Sequence, residues 1–211
     1  MNRTLIIGAS GQIGKRLTKL MLDDDHHVVA LIRDRKKLSD IESENLNIIE
    51  QDLTNDFSKA FEQCKTVVFI AGSGANTGAD KTMLIDLWAA CRAADYAKTN
   101  LVKHFIMVSS IGADMPSEGS ESMQPYLVAK HMADEHLMNS GLHYSIIRPG
   151  TLTNDKSRAK FTTTRPEHKD QAVITREDVA LALLFRINNP LKDSSVTELF
   201  NGNHSIDEVL K

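Results

Sequence analysis

The chain has 211 residues, 41% of them apolar and 25% charged, with a formal net charge of −3. That is enough for one good core and a small appended lobe. The weak negative charge excludes the strongly basic profile of a nucleic-acid or anionic-membrane binder.

In chain order, residues 5–7 form a short apolar run that reads as a buried strand. It breaks into Gly8-Ala9-Ser10-Gly11-Gln12-Ile13-Gly14. A helical stripe of Ile13, Leu17, Leu20 and Met21 follows, then a second apolar run at 28–32. Charged residues 33–37 make a turn, and 46–50 reads as the third strand, ending in Gln51-Asp52-Leu53-Thr54. A short helix is expected over 56–63 and a fourth strand over 66–71, running into Gly72-Ser73-Gly74. Residues 80–98 read as a helix rich in alanine, with Leu84 and Trp88 expected in the core and Lys81 and Asp86 towards its N-terminal end.

The fifth strand, 105–109, runs into Ser110-Ile111-Gly112, and 113–124 is a loop long enough to act as a flap. Pro125 starts a helix carrying Tyr126 and Lys130; the sixth strand is 143–148, closed by Pro149-Gly150. Residues 154–168 are polar and basic, and 172–174 is a short strand. Thr175-Arg-Glu-Asp178 reads as a capping box with Asp in place of Glu, opening a helix that buries Val179, Leu183, Leu184 and Ile187 and stops at Asn189-Pro190. A last strand at 196–201 and a terminal turn at 206–210 complete the chain.

His131 and His136 lie five apart, on different helix faces, so no metal is expected. Cys64 and Cys91 read as reduced, buried thiols. The chain enters its first strand with no charged-then-apolar leader and has no membrane-length run, so a cytoplasmic location is expected.

Strand, glycine turn, helix and strand within about thirty residues is the context of a dinucleotide fingerprint. Gly8 permits the sharp turn, Gly11 lets backbone N–H groups approach a pyrophosphate, and Gly14 lets the helix pack tightly on the sheet. The unpaired N–H groups at the helix start favour a diphosphate. At the end of the second strand an acidic residue would hold the ribose hydroxyls of NAD, and a basic one the 2′-phosphate of NADP. Arg33 comes first there and Asp34 second, backed by further cations, which favours NADPH over NADH.

Tyr126 and Lys130, at i and i+4, share one helix face. Carbonyl reduction needs a proton delivered as hydride arrives. A free phenol titrates near about 10, and an ammonium beside it favours the phenolate. Ser110, at the carboxyl end of the fifth strand, suits polarisation of the substrate oxygen.

The GxxGxxG spacing resembles the extended and atypical branch of the short-chain dehydrogenase/reductase superfamily. Phe105-Ile-Met-Val-Ser-Ser-Ile-Gly112, Tyr126-Leu-Val-Ala-Lys130 and Ile147-Arg148-Pro149-Gly150 are similar to its NmrA-like NAD(P)-binding reductases. The resemblance implies a single α/β domain, Rossmann-like, with a doubly wound parallel sheet in the order 3-2-1-4-5-6 and a small substrate-side lobe over 151–211. It further implies a cofactor site formed by Gly8, Ser10, Gly11, Gln12, Ile13, Gly14, Arg33, Asp52, Leu53, Ala71, Gly72, Ser109, Lys130, Pro149, Gly150, Thr151 and Leu152. Asp52 would meet the adenine amino group, and residues 149–152 would cover the nicotinamide. Ser110, Tyr126 and Lys130 would form the catalytic group.

The expected function is NAD(P)H-dependent reduction of a small carbonyl or conjugated substrate, by a monomer or homodimer. A non-catalytic NADP(H) sensor and a nucleotide-sugar epimerase or dehydratase are the alternatives. The chain departs from the superfamily in lacking its usual Asn after the fourth strand and in its short C-terminal lobe.

Overall fold

The computed structural model describes residues 3–74 and 77–211. Its sheet has the order β3-β2-β1-β4-β5-β6-β10-β8. The strands are β1 (Arg3–Ile7), β2 (His27–Ile32), β3 (Leu46–Glu50), β4 (Cys64–Phe69), β5 (His104–Val108), β6 (Tyr144–Pro149), β8 (Phe161–Thr162) and β10 (Ser195–Asn201). Neighbours pair in parallel, apart from the antiparallel edge pair β10–β8. A separate parallel pair joins β7 (Thr151–Thr153) to β9 (Val173–Thr175). The predicted doubly wound order is present, extended at its far edge by β10 and β8.

Unbroken apolar runs form these strands because both faces of the sheet are covered. Side chains alternate, so Leu5, Ile7, Val67, Phe69, Phe105 and Met107 enter one core layer. Ile6, Val28, Ala30, Val68, Ile106 and Val108 enter the other. Helices α1 (Gln12–Asp23) and α5 (Arg176–Asn188) cover the second layer, and α1 buries Ile13, Leu17 and Met21 there. On the opposite face lie α3 (Ala90–Thr99), preceded by the short α2 (Ala79–Lys81) and a π-wound segment Thr82–Ala89, and α4 (Gln124–Met138). The chain ends in the single turn α6 (Ile206–Val209). Among the described residues no helix is long and apolar enough to cross a membrane.

Three local expectations are corrected. Leu84 and Trp88 are exposed, at 40% and 56%. The sheet-facing side of that helix is taken by Ala89, Ala90, Ala93, Ala94 and Ala97, whose small size brings the backbone close to the strands and turns the bulky residues outward. The capping box forms by half: the Thr175 hydroxyl accepts from the Asp178 N–H at 3.0 Å. The Asp178 carboxylate does not reach back to the cap; it accepts from Asn201 Nδ2 at 2.6 Å and the Ala159 N–H at 3.1 Å, tying the 157–159 loop to α5 and β10. The helix expected over 56–63 is a single 3-10 turn, Ser58–Phe61.

Candidate active site

The carboxyl ends of the parallel strands open into one cleft of about 620 Å³. One wall is the turn from β1 into α1. Gly8 sits at φ +93°, in the left-handed region that favours glycine, and a Cβ there would lie 2.7 Å from the Ala71 backbone nitrogen. A Cβ on Gly14 would come within 2.8 Å of the Ala9 Cα, so this glycine lets α1 pack on the turn. Gly11 differs: its Cβ would meet only the Gly8 carbonyl at 3.3 Å and otherwise point into open space. Gly11 is also the N-cap of α1, makes no side-chain cap bond, and is followed by no acidic residue in the first turn. The helix start thus leaves its N–H groups and partial positive charge to the cleft.

The opposite wall is α4. Tyr126 is half-buried in it, and among the described residues its hydroxyl has no protein partner. Lys130 is buried, at 2% exposure, and its Nζ donates to the Val108 carbonyl at 2.7 Å. One turn on, Asp134 is fully buried and receives the Ser109 hydroxyl at 2.8 Å and Arg148 Nε at 3.0 Å. Burial pushes the Asp134 carboxyl up from its ordinary value, against the pull of Ser109, Lys130 and Arg148. Its Oδ1 has no hydrogen-bond partner among the described residues.

The floor carries a second buried carboxylate, Asp86 on the π-wound segment, which accepts from the Ser73 N–H at 3.0 Å. A Cβ on Gly72 would stand 3.0 Å from Asp86 Oδ1, so the small residue after β4 is matched to this carboxylate. π-wound stretches are uncommon and tend to occur at functional sites; here the winding buries Asp86 beside the cleft.

Of the residues singled out from sequence, Gly11, Gln12, Ile13, Gly14, Ala71, Gly72, Ser109, Tyr126, Lys130, Pro149 and Leu152 line this cleft together. Gly8 lies beneath the loop and Ser10 on its outer side, beside a shallow hollow with Lys15 and Arg16. Ser110 stands outside the lining, and its hydroxyl donates to the neighbouring Ile111 carbonyl at 3.1 Å. Gly150 packs under Ala172 and Phe200, and the Thr151 N–H donates to the Ala172 carbonyl at 2.8 Å.

Arg33, Asp52 and Leu53 sit beyond the cleft, at the ends of β2 and β3. Asp34 turns away to accept the Lys36 N–H at 3.0 Å, leaving Arg33 exposed at the strand end. Asp52 accepts the Thr54 N–H at 2.8 Å and its hydroxyl at 2.7 Å. These bonds hold its carboxyl below the usual range, with smaller help from Arg33 and Lys81. The Leu53 side chain is buried in the core, and its carbonyl accepts from Arg92.

A family model described as NAD(P)H-binding matches residues 8–190. The chain belongs to the NAD(P)H-binding family. Among the relatives of this family member, the "uncharacterized sugar epimerase YhfK" of Bacillus subtilis (strain 168) is 35% identical over 213 residues, spanning 99% of each chain. A solved structure described as a putative NAD-dependent epimerase/dehydratase from Bacillus halodurans superposes with a TM-score of 0.91 at 37% identity, over 99% of this chain and 98% of that one. The oxidoreductase ylbE from Lactococcus lactis gives a TM-score of 0.87 at 25% identity, over 99% and 94%. The NAD(P)H-binding chain is thus a Rossmann-like protein of the NmrA-like, atypical short-chain dehydrogenase/reductase group.

The residues present fit a nicotinamide dinucleotide on two structural grounds. Gly11 leaves open a space that a Cβ would fill, and the α1 N-terminus beside it is uncapped. Three other residues carry a role that the sequence did not assign them. Asp134 and Arg148 form a buried ion pair beneath Ser109. The available signs were an aspartate four residues after Lys130 on the same helix face and an arginine inside an otherwise apolar strand. Arg176, the first residue of α5, lines the cleft and carried no motif of its own beyond the cap before it.

Proposed function

We propose that the protein is an NADPH-dependent oxidoreductase of the atypical short-chain type that reduces a small carbonyl or conjugated compound. The supporting observation is that Tyr126 and Lys130 share one cleft with the glycine loop. When bound, a nicotinamide cofactor supplies the hydride. Tyr126, whose hydroxyl has no protein partner among the described residues, delivers the proton to the oxygen that gains charge. Lys130 is anchored by one N–H to the Val108 carbonyl and keeps the others for the ribose hydroxyls, with its charge beside the developing anion. The Ser109 proton is committed to Asp134, so Ser109 offers the cleft an acceptor. For Ser110 to polarise the substrate oxygen, its hydroxyl must leave the Ile111 carbonyl and turn towards the cleft, whose lining it stands outside. Arg33, left free by the turn of Asp34, takes the 2′-phosphate and favours NADPH. Asp52 meets the adenine, held in place by the buried Leu53 beside it, and residues 149–152 border the nicotinamide.

The printed names of YhfK and of the Bacillus halodurans protein favour a second reading, a nucleotide-sugar epimerase or dehydratase. Such a substrate brings its own diphosphate and nucleoside. Among the described residues the segment after β6 holds the short β7, β8 and β9 with α5, β10 and α6, a small surface for such a ligand, which favours the reductase reading. Turnover by Tyr126→Phe tests the proposal. The expected outcome is a fall in kcat of about 100- to 10,000-fold with NADPH affinity unchanged. An unchanged kcat removes Tyr126 from the mechanism, and tight NADPH binding with no net NADPH consumption over a carbonyl panel supports the epimerase or sensor readings.

A further inference from the structure

The charged side chains lining the cleft are Asp86, Lys130 and Arg176. Asp86 receives the Ser73 N–H, and Lys130 is tied to the Val108 carbonyl. Arg176 spends only one of its nitrogens on the protein: Nη1 donates to the Leu152 carbonyl at 3.2 Å and to Asn154 Oδ1 at 3.0 Å. Among the described residues, Nε and Nη2 have no protein partner, and no carboxylate pairs with the guanidinium. Other arginines of the same region are neutralised: Arg165 by Glu198 and Asp114, and Arg148 by Asp134.

A half-buried guanidinium with a free planar edge and no counter-charge is the group that takes a carboxylate through two parallel N–H bonds. Its place is informative. The bond to Leu152 sets it beside the segment proposed to border the nicotinamide. The lining it shares with Tyr126 includes the apolar Met123, Pro125 and Leu152 and the polar Gln12 and Ser122. A ligand spanning Tyr126 and Arg176 therefore meets a phenol hydroxyl and an unpaired cation within one cleft.

We propose that Arg176 is the anion-binding group of the substrate end of the cleft, and that the substrate is a small conjugated or carbonyl compound bearing a carboxylate. This rests on the reading of the cleft as a reductase site, which places the substrate between Tyr126 and Leu152. Anion recognition at Arg176 does not require turnover, so binding alone tests it.

Cinnamate and its uncharged isostere cinnamamide serve as probes, titrated by calorimetry and by ligand-observed NMR into the protein with and without saturating NADP+. Cinnamate is expected to bind about 10- to 100-fold more tightly than cinnamamide, the range of a charge-assisted pair. Arg176→Gln should remove that preference while leaving NADP+ affinity unchanged, and Arg176→Lys should retain part of it. Equal binding of the two probes, no detectable cinnamate binding, or a preference that survives in Arg176→Gln overturns the proposal. So does a loss confined to NADP+ affinity, which would assign Arg176 to the cofactor. Failure to bind NADP+ tells against the proposed reaction instead, and the probe preference of the nucleotide-free protein still decides the anion site.

Discussion

Replacing Gly11 by alanine separates the work of the glycine loop in folding from its work in binding. The backbone at Gly11 lies at φ −71° and ψ 169°, extended geometry that any residue adopts. The added Cβ would touch one protein atom, the Gly8 carbonyl oxygen at 3.3 Å, and otherwise meet open space at the edge of the cleft. The nucleotide-free protein should therefore keep its stability to within about 0.5 kcal/mol, since relief of glycine's unfolded-state entropy offsets the slight crowding. A diphosphate resting on the α1 N–H groups meets the methyl directly. Forcing one extra carbon into a packed contact costs about 1–3 kcal/mol, or about 5- to 150-fold in Kd. Chemical denaturation of the free protein and calorimetric titration with NADPH read the two quantities separately. Gly14→Ala is the contrasting variant: its Cβ meets backbone on the Ala9 side at 2.8 Å, so folding itself suffers. An NADPH Kd unchanged in Gly11→Ala would refute the placement of the diphosphate over this turn.

Arg33→Ala should weaken NADPH by about tenfold and leave NADH unaffected, because only NADPH carries the phosphate that an exposed arginine can pair with; equal losses for both nucleotides would contradict the role given to Arg33. His104, at the opposite end of the sheet, is lowered to about 4 by burial first, then by His143 beside it and by Arg186. Its folded value lies below its unfolded value, so the stability it contributes is full above about pH 6.5 and is lost as pH falls towards about 4, amounting to about 2 kcal/mol after allowance for screening. Urea unfolding at about pH 7 and about pH 4 should show a smaller acid loss in His104→Gln than in the wild type; identical losses would show that His104 titrates normally.

The glycine loop, the individual strands and the cleft-lining Tyr126 and Lys130 were legible because each is written in local terms, whereas the strand order followed from the family resemblance. Glycine spacing forces a turn, an apolar run buried on both faces forces a strand, and an i, i+4 pair forces a shared helix face. What escaped depends on partners distant in the chain. Asp134 follows Lys130 by one helical turn, but its partners Ser109 and Arg148 come from the end of β5 and from β6, brought alongside by β5–β6 pairing. Asp178 has the look of a capping residue, yet Ser157 and Asn201 claim its carboxylate. Leu84 and Trp88 misled because bulk suggests burial, whereas on that helix close packing against the sheet selects alanine. Arg176 is the clearest case, since only the closed cleft shows that its charge is unmet.

The proposed reaction depends on a nicotinamide dinucleotide lying across the turn from β1 into α1 and reaching Lys130. Calorimetric titration of the purified chain with NADPH and with NADH tests that most directly. Saturable binding of both, with NADPH the tighter, is the result the account predicts; absence of heat with either nucleotide would contradict it.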